Sequence, residues 1–114
     1  KKKIAKIINL SDLKSLIKLS SNGINSKIGD SGTLISSGQM QRLAIARALY
    51  ADKEILIFDE ATNAIDEKSE KKIISSLLKL RNSKTIIIIS HNKKNFLHCN
   101  RIYRIKSYKL QKIK

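Results

Sequence analysis

Three stretches of the chain gather side chains capable of chemistry. Asp59 and Glu60 stand together where the apolar run Glu54 to Phe58 stops. His91 follows a second apolar run, Thr85 to Ile89, with Ser90 between. Ser36-Ser37-Gly38-Gln39 opens a helix-forming stretch that carries apolar residues at Leu43, Ile45, Ala46 and Leu49. Two acids at the rim of a dry core are costly unless they hold a cation or act as acid or base. A helix N-terminus presents unpaired N–H groups and a partial positive charge, which suits a phosphate. Each feature also has an ordinary reading: a salt bridge or cap for the acids, a structural histidine, a capped amphipathic helix. Ser90 beside His91 makes no hydrolase, because sequence neighbours do not form a nucleophile–base pair and no G-x-S-x-G turn is present. His98 and Cys99 lack a metal-ligand set and take structural roles.

The elements that must position these groups follow from periodicity. Lys1 to Leu19 reads as helical, with Leu10, Leu13, Leu16 and Ile17 at helical spacing and Ser11 or Asp12 opening a second helix. Ser20 to Thr33 is rich in Gly, Ser, Asn and Asp and reads as a loop. Ser36 or Ser37 caps the next helix, which runs from about Gly38 to Leu49, roughly 18 Å at ~1.5 Å per residue. Gly38 allows another group to approach the backbone closely. Glu54 to Phe58 and Thr85 to Ile89 read as strands buried on both faces. Between them Asp66 is a good N-cap, with Glu67 and Glu70 favoured in the first turn of a helix that reaches about Leu80. Strand, helix, strand in that order, with both strands apolar, predicts a parallel sheet covered by helices. A short helix near Lys94 to His98 and two strands, about Arg101 to Ile105 and Tyr108 to Ile113, complete the chain.

Composition narrows the classes. The sequence has 114 residues, one small domain or part of a larger one. Its longest apolar run is Ile86 to Ile89, far short of a bilayer span, and the start lacks a signal peptide's pattern. One cysteine excludes an internal disulfide and fits a reducing compartment. The net charge of +15 is mostly lysine, in a chain also rich in isoleucine and asparagine. We read it as solvated lysine from an AT-rich coding sequence rather than as a nucleic-acid site. The basic tail, from Lys93 onward, has aromatics too scattered for base stacking.

The spacing joins these pieces. Asp59 lies 20 residues after Gln39, Asp66 seven after Asp59, and His91 25 after Asp66. This arrangement resembles the nucleotide-binding domain of ATP-binding-cassette (ABC) transporters over nearly the whole chain. Ser36-Ser37-Gly38-Gln39 with Gln41-Arg42 resembles the family signature, Glu54 to Glu60 its Walker B strand, Asn63-Ala64-Ile65-Asp66 its D-loop, and Ile89-Ser90-His91 its switch-histidine strand. The resemblance implies an α/β fold: part of a P-loop NTPase (RecA-like) core with parallel strands over 51–114, and the end of the ABC helical subdomain over 1–50. It implies ATP and Mg²⁺ as cofactors. Ser36, Ser37, Gly38 and Gln39 would bind the γ-phosphate of an ATP held mainly by a second domain in a head-to-tail dimer. Asp59 would hold Mg²⁺ through water, Glu60 would act as general base, His91 would hold the γ-phosphate in line, and Asp66 would contact the facing domain.

The departures are specific. Ser37 stands where the family usually has glycine, Asn63 and Ile65 replace the commoner Ser and Leu, and Lys106-Ser107-Tyr108 lacks the usual hairpin glycine. No G-x-x-x-x-G-K-[ST] occurs, so the resemblance is to the C-terminal half of the domain and implies poor hydrolysis by this stretch alone. Asp59-Glu60-Ala61-Thr62 resembles exporters and flippases, implying a transmembrane partner and a place at the cytoplasmic face of a membrane. Two other readings stand beside it: a soluble, non-transport ABC ATPase acting on nucleic acid or ribosomes, and a non-catalytic remnant.

Overall fold

Helix α1 (Lys2–Leu10) stops at Ser11, which turns back on it: the Ser11 hydroxyl donates to the Ile7 carbonyl at 2.8 Å and the residue is fully buried. Asp12 has a left-handed backbone, φ 53°, so helix α2 (Lys14–Leu19) begins after Leu13 with neither Ser11 nor Asp12 as its side-chain cap. That corrects the expected start of the second helix. Tertiary partners took the capping residue away: Asp12 accepts from Lys72 and pairs with Arg42 at 3.5 Å. Burial acts to raise the Asp12 carboxyl, but hydrogen bonds from Lys72 and Ser69 and the charges of Lys72 and Arg42 hold it below its ordinary value. The computed structural model describes residues 1–29, 34–97 and 99–114. The end of the expected 20–33 loop, and His98, lie outside them.

Helix α3 (Ser37–Ala51) is closed at its far end by Asp52 in the left-handed conformation, φ 56°. Strand β1 (Ile55–Asp59), helix α4 (Glu67–Leu78) and strand β2 (Thr85–Ile89) then form the expected unit. The strands pair in parallel, with Ile55 opposite Thr85 and Asp59 opposite Ile89. Side chains alternate across a strand, so Leu56 and Phe58 enter the core while Ile55, Ile57, Ile87 and Ile89 share the other, open face. Ile57 is 62% exposed. The expectation of burial on both faces is therefore wrong for the described residues: helices cover one side only, and the apolar run could not reveal how many sides had a neighbour.

A single apolar cluster includes Ile7, Leu13 and Leu16 from the first helices, Ile45 and Leu49 from α3, Leu56 and Phe58 from β1, and Ile73 and Leu77 from α4. The sheet and the signature-like helix thus share one core. The short helix after His91 is a 3-10 turn, Lys93–Phe96, starting one residue before the expected one, whose last residue, His98, lies outside the described residues. Strands β3 (Tyr103–Lys106) and β4 (Lys109–Lys112) make an antiparallel hairpin, shorter than expected. Its turn residues Ser107 and Tyr108 both have positive φ, 48° and 61°, as a two-residue turn matched to strand twist requires.

Candidate functional site

The tip of α3 is organised by its own first residues. The Ser36 hydroxyl accepts from the Gln39 amide at 3.2 Å, and the Gln39 carboxamide oxygen accepts from the Ser36 amide at 2.8 Å. This capping box satisfies two backbone donors locally. Gln39 is thereby placed as a cap partner, while Ser37, which is exposed, and Gly38 contribute first-turn amides that have no intrahelical acceptor.

Gly38 earns its place by contact. A Cβ there would lie 2.5 Å from the carbonyl oxygen of Ala64, and Gln41 accepts from the Ala64 amide at 2.9 Å. The helix tip therefore holds the loop after β1 through the Ala64 amide and packs so close to the Ala64 carbonyl that a Cβ at position 38 would not fit. Asp66 ends that loop and caps α4, accepting from the Ser69 amide at 2.9 Å. That bond, with the Ser69 hydroxyl, holds the Asp66 carboxyl below its usual range. Next to it, a hydrogen bond from Lys94 lowers Glu67, and the same contact raises Lys94.

The strand ends meet as the parallel register requires. Glu60 leaves β1 with φ 45°, and its amide donates to the Ile89 carbonyl at 2.9 Å. The ladder thus runs one residue past Asp59 and brings His91 beside the acid. His91 Nε2 is 2.7 Å from Glu60 Oε1, and Asn63 Nδ2 donates to Glu60 Oε2 at 2.6 Å. Asp59 lies on the open face of the sheet and makes no hydrogen bond or ion pair to the described residues. Asn63, Glu60 and His91 thus form one run of side-chain contacts, and α3 reaches the same loop through Gly38 and Gln41 at Ala64, the residue after Asn63.

Among the described residues no group of three or more His, Cys, Asp or Glu converges on a metal position. The donor set fits Mg²⁺ nonetheless, since this ion keeps several waters and needs one or two carboxylates beside phosphate oxygens; Asp59 supplies such a carboxylate. Cys99 is a free thiol raised by burial, 3.7 Å from the Asn95 carbonyl oxygen. Sequence reading passed over Asn63 as a mild replacement, treated Glu70 only as a first-turn acid, and gave Gln41 no partner. A carboxamide three residues after a candidate base was the signal available for Asn63.

These features define a class: an α/β fragment in which an acid and a histidine, Glu60 and His91, meet at neighbouring parallel strand ends. The sequence profile of the family described as ABC transporter matches residues 3–63. The chain belongs to the ABC transporter family, and the part of that family it carries is an exporter-like nucleotide-binding domain. It is 44% identical over 88 residues to "ATP-dependent lipid A-core flippase 2" of Colwellia psychrerythraea, covering 77% of this chain and 15% of that protein. It is 39% identical over 100 residues to "ATP-dependent lipid A-core flippase" of Cupriavidus pinatubonensis, covering 88% and 17%. A "Putative export ATP-binding/permease protein" of Rickettsia bellii is 42% identical over 88 residues, covering 77% and 15%. The chain thus spans about a sixth of the length of these curated relatives. No helix among the described residues is long and apolar enough to cross a membrane.

Proposed function

We propose that these residues are the signature-to-switch portion of an ATPase that drives export or flipping of a lipid-linked glycan, of the lipid A-core type named in the relatives. The reading rests on one observation: His91 Nε2 lies 2.7 Å from Glu60 Oε1 where two adjacent parallel strands end. Residues 1–50 belong to the helical subdomain and 51–114 to the ATPase core, at the cytoplasmic face of the membrane and coupled to a transmembrane domain.

Hydrolysis needs a water aligned on the γ-phosphorus, acceptance of its proton, and stabilisation of charge on the equatorial oxygens. Glu60 takes the proton as the water oxygen bonds to phosphorus and the bond to the β-phosphate oxygen breaks, leaving ADP and phosphate. Asn63 orients one Glu60 oxygen, and His91 bridges the other to the γ-phosphate. Ser36, Ser37 and Gly38 offer a hydroxyl and amides to the γ-phosphate of an ATP seated mainly on a facing domain. Gln39 acts through Ser36, holding the tip in shape, and Asp66 contacts the facing domain. Asp59 would hold Mg²⁺ through water, which supplies charge neutralisation when bound. The test is Glu60→Gln in the protein as its gene encodes it. Loss of ATP turnover of ~10²-fold or more, with ATP binding retained, is expected of a general base; wild-type turnover would remove Glu60 from that role.

A further inference from the structure

Glu70 is 8% exposed, and among the described residues its hydrogen-bond donors are all neutral, with the Lys94 charge acting on it from a distance. Its Oε1 accepts from Thr62 Oγ1 at 2.7 Å and from Asn95 Nδ2 at 2.8 Å. Its Oε2 accepts from Asn92 Nδ2 at 3.0 Å. A carboxylate this buried persists only when donors surround it. The origin of these donors gives the cluster its meaning. Thr62 belongs to the loop between Glu60 and Asn63, whereas Asn92 immediately follows His91. Asn95 also donates to Ser90 Oγ at 3.1 Å, and the Asn92 amide donates to that same oxygen at 3.0 Å. Both neighbours of His91 and the loop leaving Glu60 are thus tied to one carboxylate.

We propose that Glu70 is a positioning residue that sets the contact between Glu60 and His91 from behind, through Thr62 on one side and Asn92 and Asn95 on the other. The proposal rests on the ATPase reading for its catalytic consequence, though not for the contact itself. Glu70 does not touch the reacting atoms; it fixes the spacing of the two elements that carry them.

The donor pattern dictates the variants. Glu70→Gln keeps one oxygen for Thr62 and Asn95 but turns an amide toward the Asn92 amide, donor against donor. Asn92 cannot flip without penalty, because its Oδ1 accepts from the Lys94 amide at 3.1 Å. Adding Asn92→Asp restores an acceptor there and retains the one Lys94 uses.

The experiment measures ATP turnover and the imidazole ¹⁵N shifts of His91 in the protein as its gene encodes it. Glu70→Gln is expected to lower kcat about tenfold or more, since small misplacements of reacting groups are costly, with KM for ATP within about twofold. The His91 shifts should move, and Asn92→Asp should return both toward wild type. An unchanged kcat and unchanged His91 shifts would overturn the proposal. So would a loss of activity that follows a fall in Tm and is not rescued, which would make Glu70 a core support only. If Glu60→Gln and His91→Ala also leave turnover intact, the ATPase reading fails separately, and the His91 shifts alone decide on Glu70.

Discussion

Gly38→Ala sets two effects of opposite sign against each other. Alanine in place of glycine near a helix start gains at most ~1 kcal/mol from propensity. Against this, the new methyl would sit 2.5 Å from the Ala64 carbonyl oxygen, where real Cβ contacts essentially never fall below 3.0 Å. The neighbour is backbone, held in place by the Ala64–Gln41 hydrogen bond at 2.9 Å, so relief requires the loop or helix tip to shift. Overpacking of this kind costs ~1–3 kcal/mol, and stretching the Gln41 bond adds ~0.5–1.5 kcal/mol. Strain wins: a net loss of ~0.5–3.5 kcal/mol is expected, or a ~2–400-fold change in the folded-to-unfolded ratio. Urea unfolding measures it, and amide exchange localises it, because the Ala64 N–H should exchange faster. Ser37→Ala, one residue earlier and exposed, serves as control and should stay within ~0.5 kcal/mol of wild type. A Gly38→Ala variant of equal or greater stability, with Ala64 exchange unchanged, would refute the close approach.

Other consequences are open to measurement. Asp12 is held below its ordinary pKa in the fold, so its contribution is present above the unfolded carboxylate value of ~3.9 and lost as pH falls below it. Asp12→Asn, whose side chain tolerates the left-handed backbone, should cost ~1–3 kcal/mol at neutral pH and flatten the acid limb of stability in unfolding curves from pH 7 to 3; an unchanged acid limb would count against the Lys72 and Arg42 contacts. Ser36→Ala should remove the cap and cost ~1 kcal/mol. Ser36→Asp should keep the cap but set a negative charge where the γ-phosphate is proposed to sit, so ATP affinity should fall while stability holds. Equal affinity in Ser36→Asp would argue against the helix tip as a phosphate contact.

What could be read from sequence was mostly local. Ser36 and Asp66 cap the helices they precede, and the ends of α3 fall where Ser36 and Asp52 put them. The parallel pairing of the two apolar runs follows from strand–helix–strand order, and with it the meeting of Glu60 and His91. What escaped depends on neighbours distant in the chain. Asp12 had the right chemistry for a cap, yet it lies 60 residues before Lys72 and pairs with it instead. Glu70 suits a helix dipole as any acid in that turn would; only the return of Asn92 and Asn95 beside it shows that it is buried and bonded. The runs of isoleucine specified strands without specifying how many faces are covered, because apolarity permits burial and does not supply the covering layer.

Glu60 carries a left-handed backbone, φ 45°, which glycine adopts without steric penalty and glutamate does not. Replacing it with glycine would relieve ~1–2 kcal/mol of local repulsion and erase the acid. A single base change converts either glutamate codon to a glycine codon. That one-base route trades the acid and its contacts with His91 and Asn63 for an unstrained backbone.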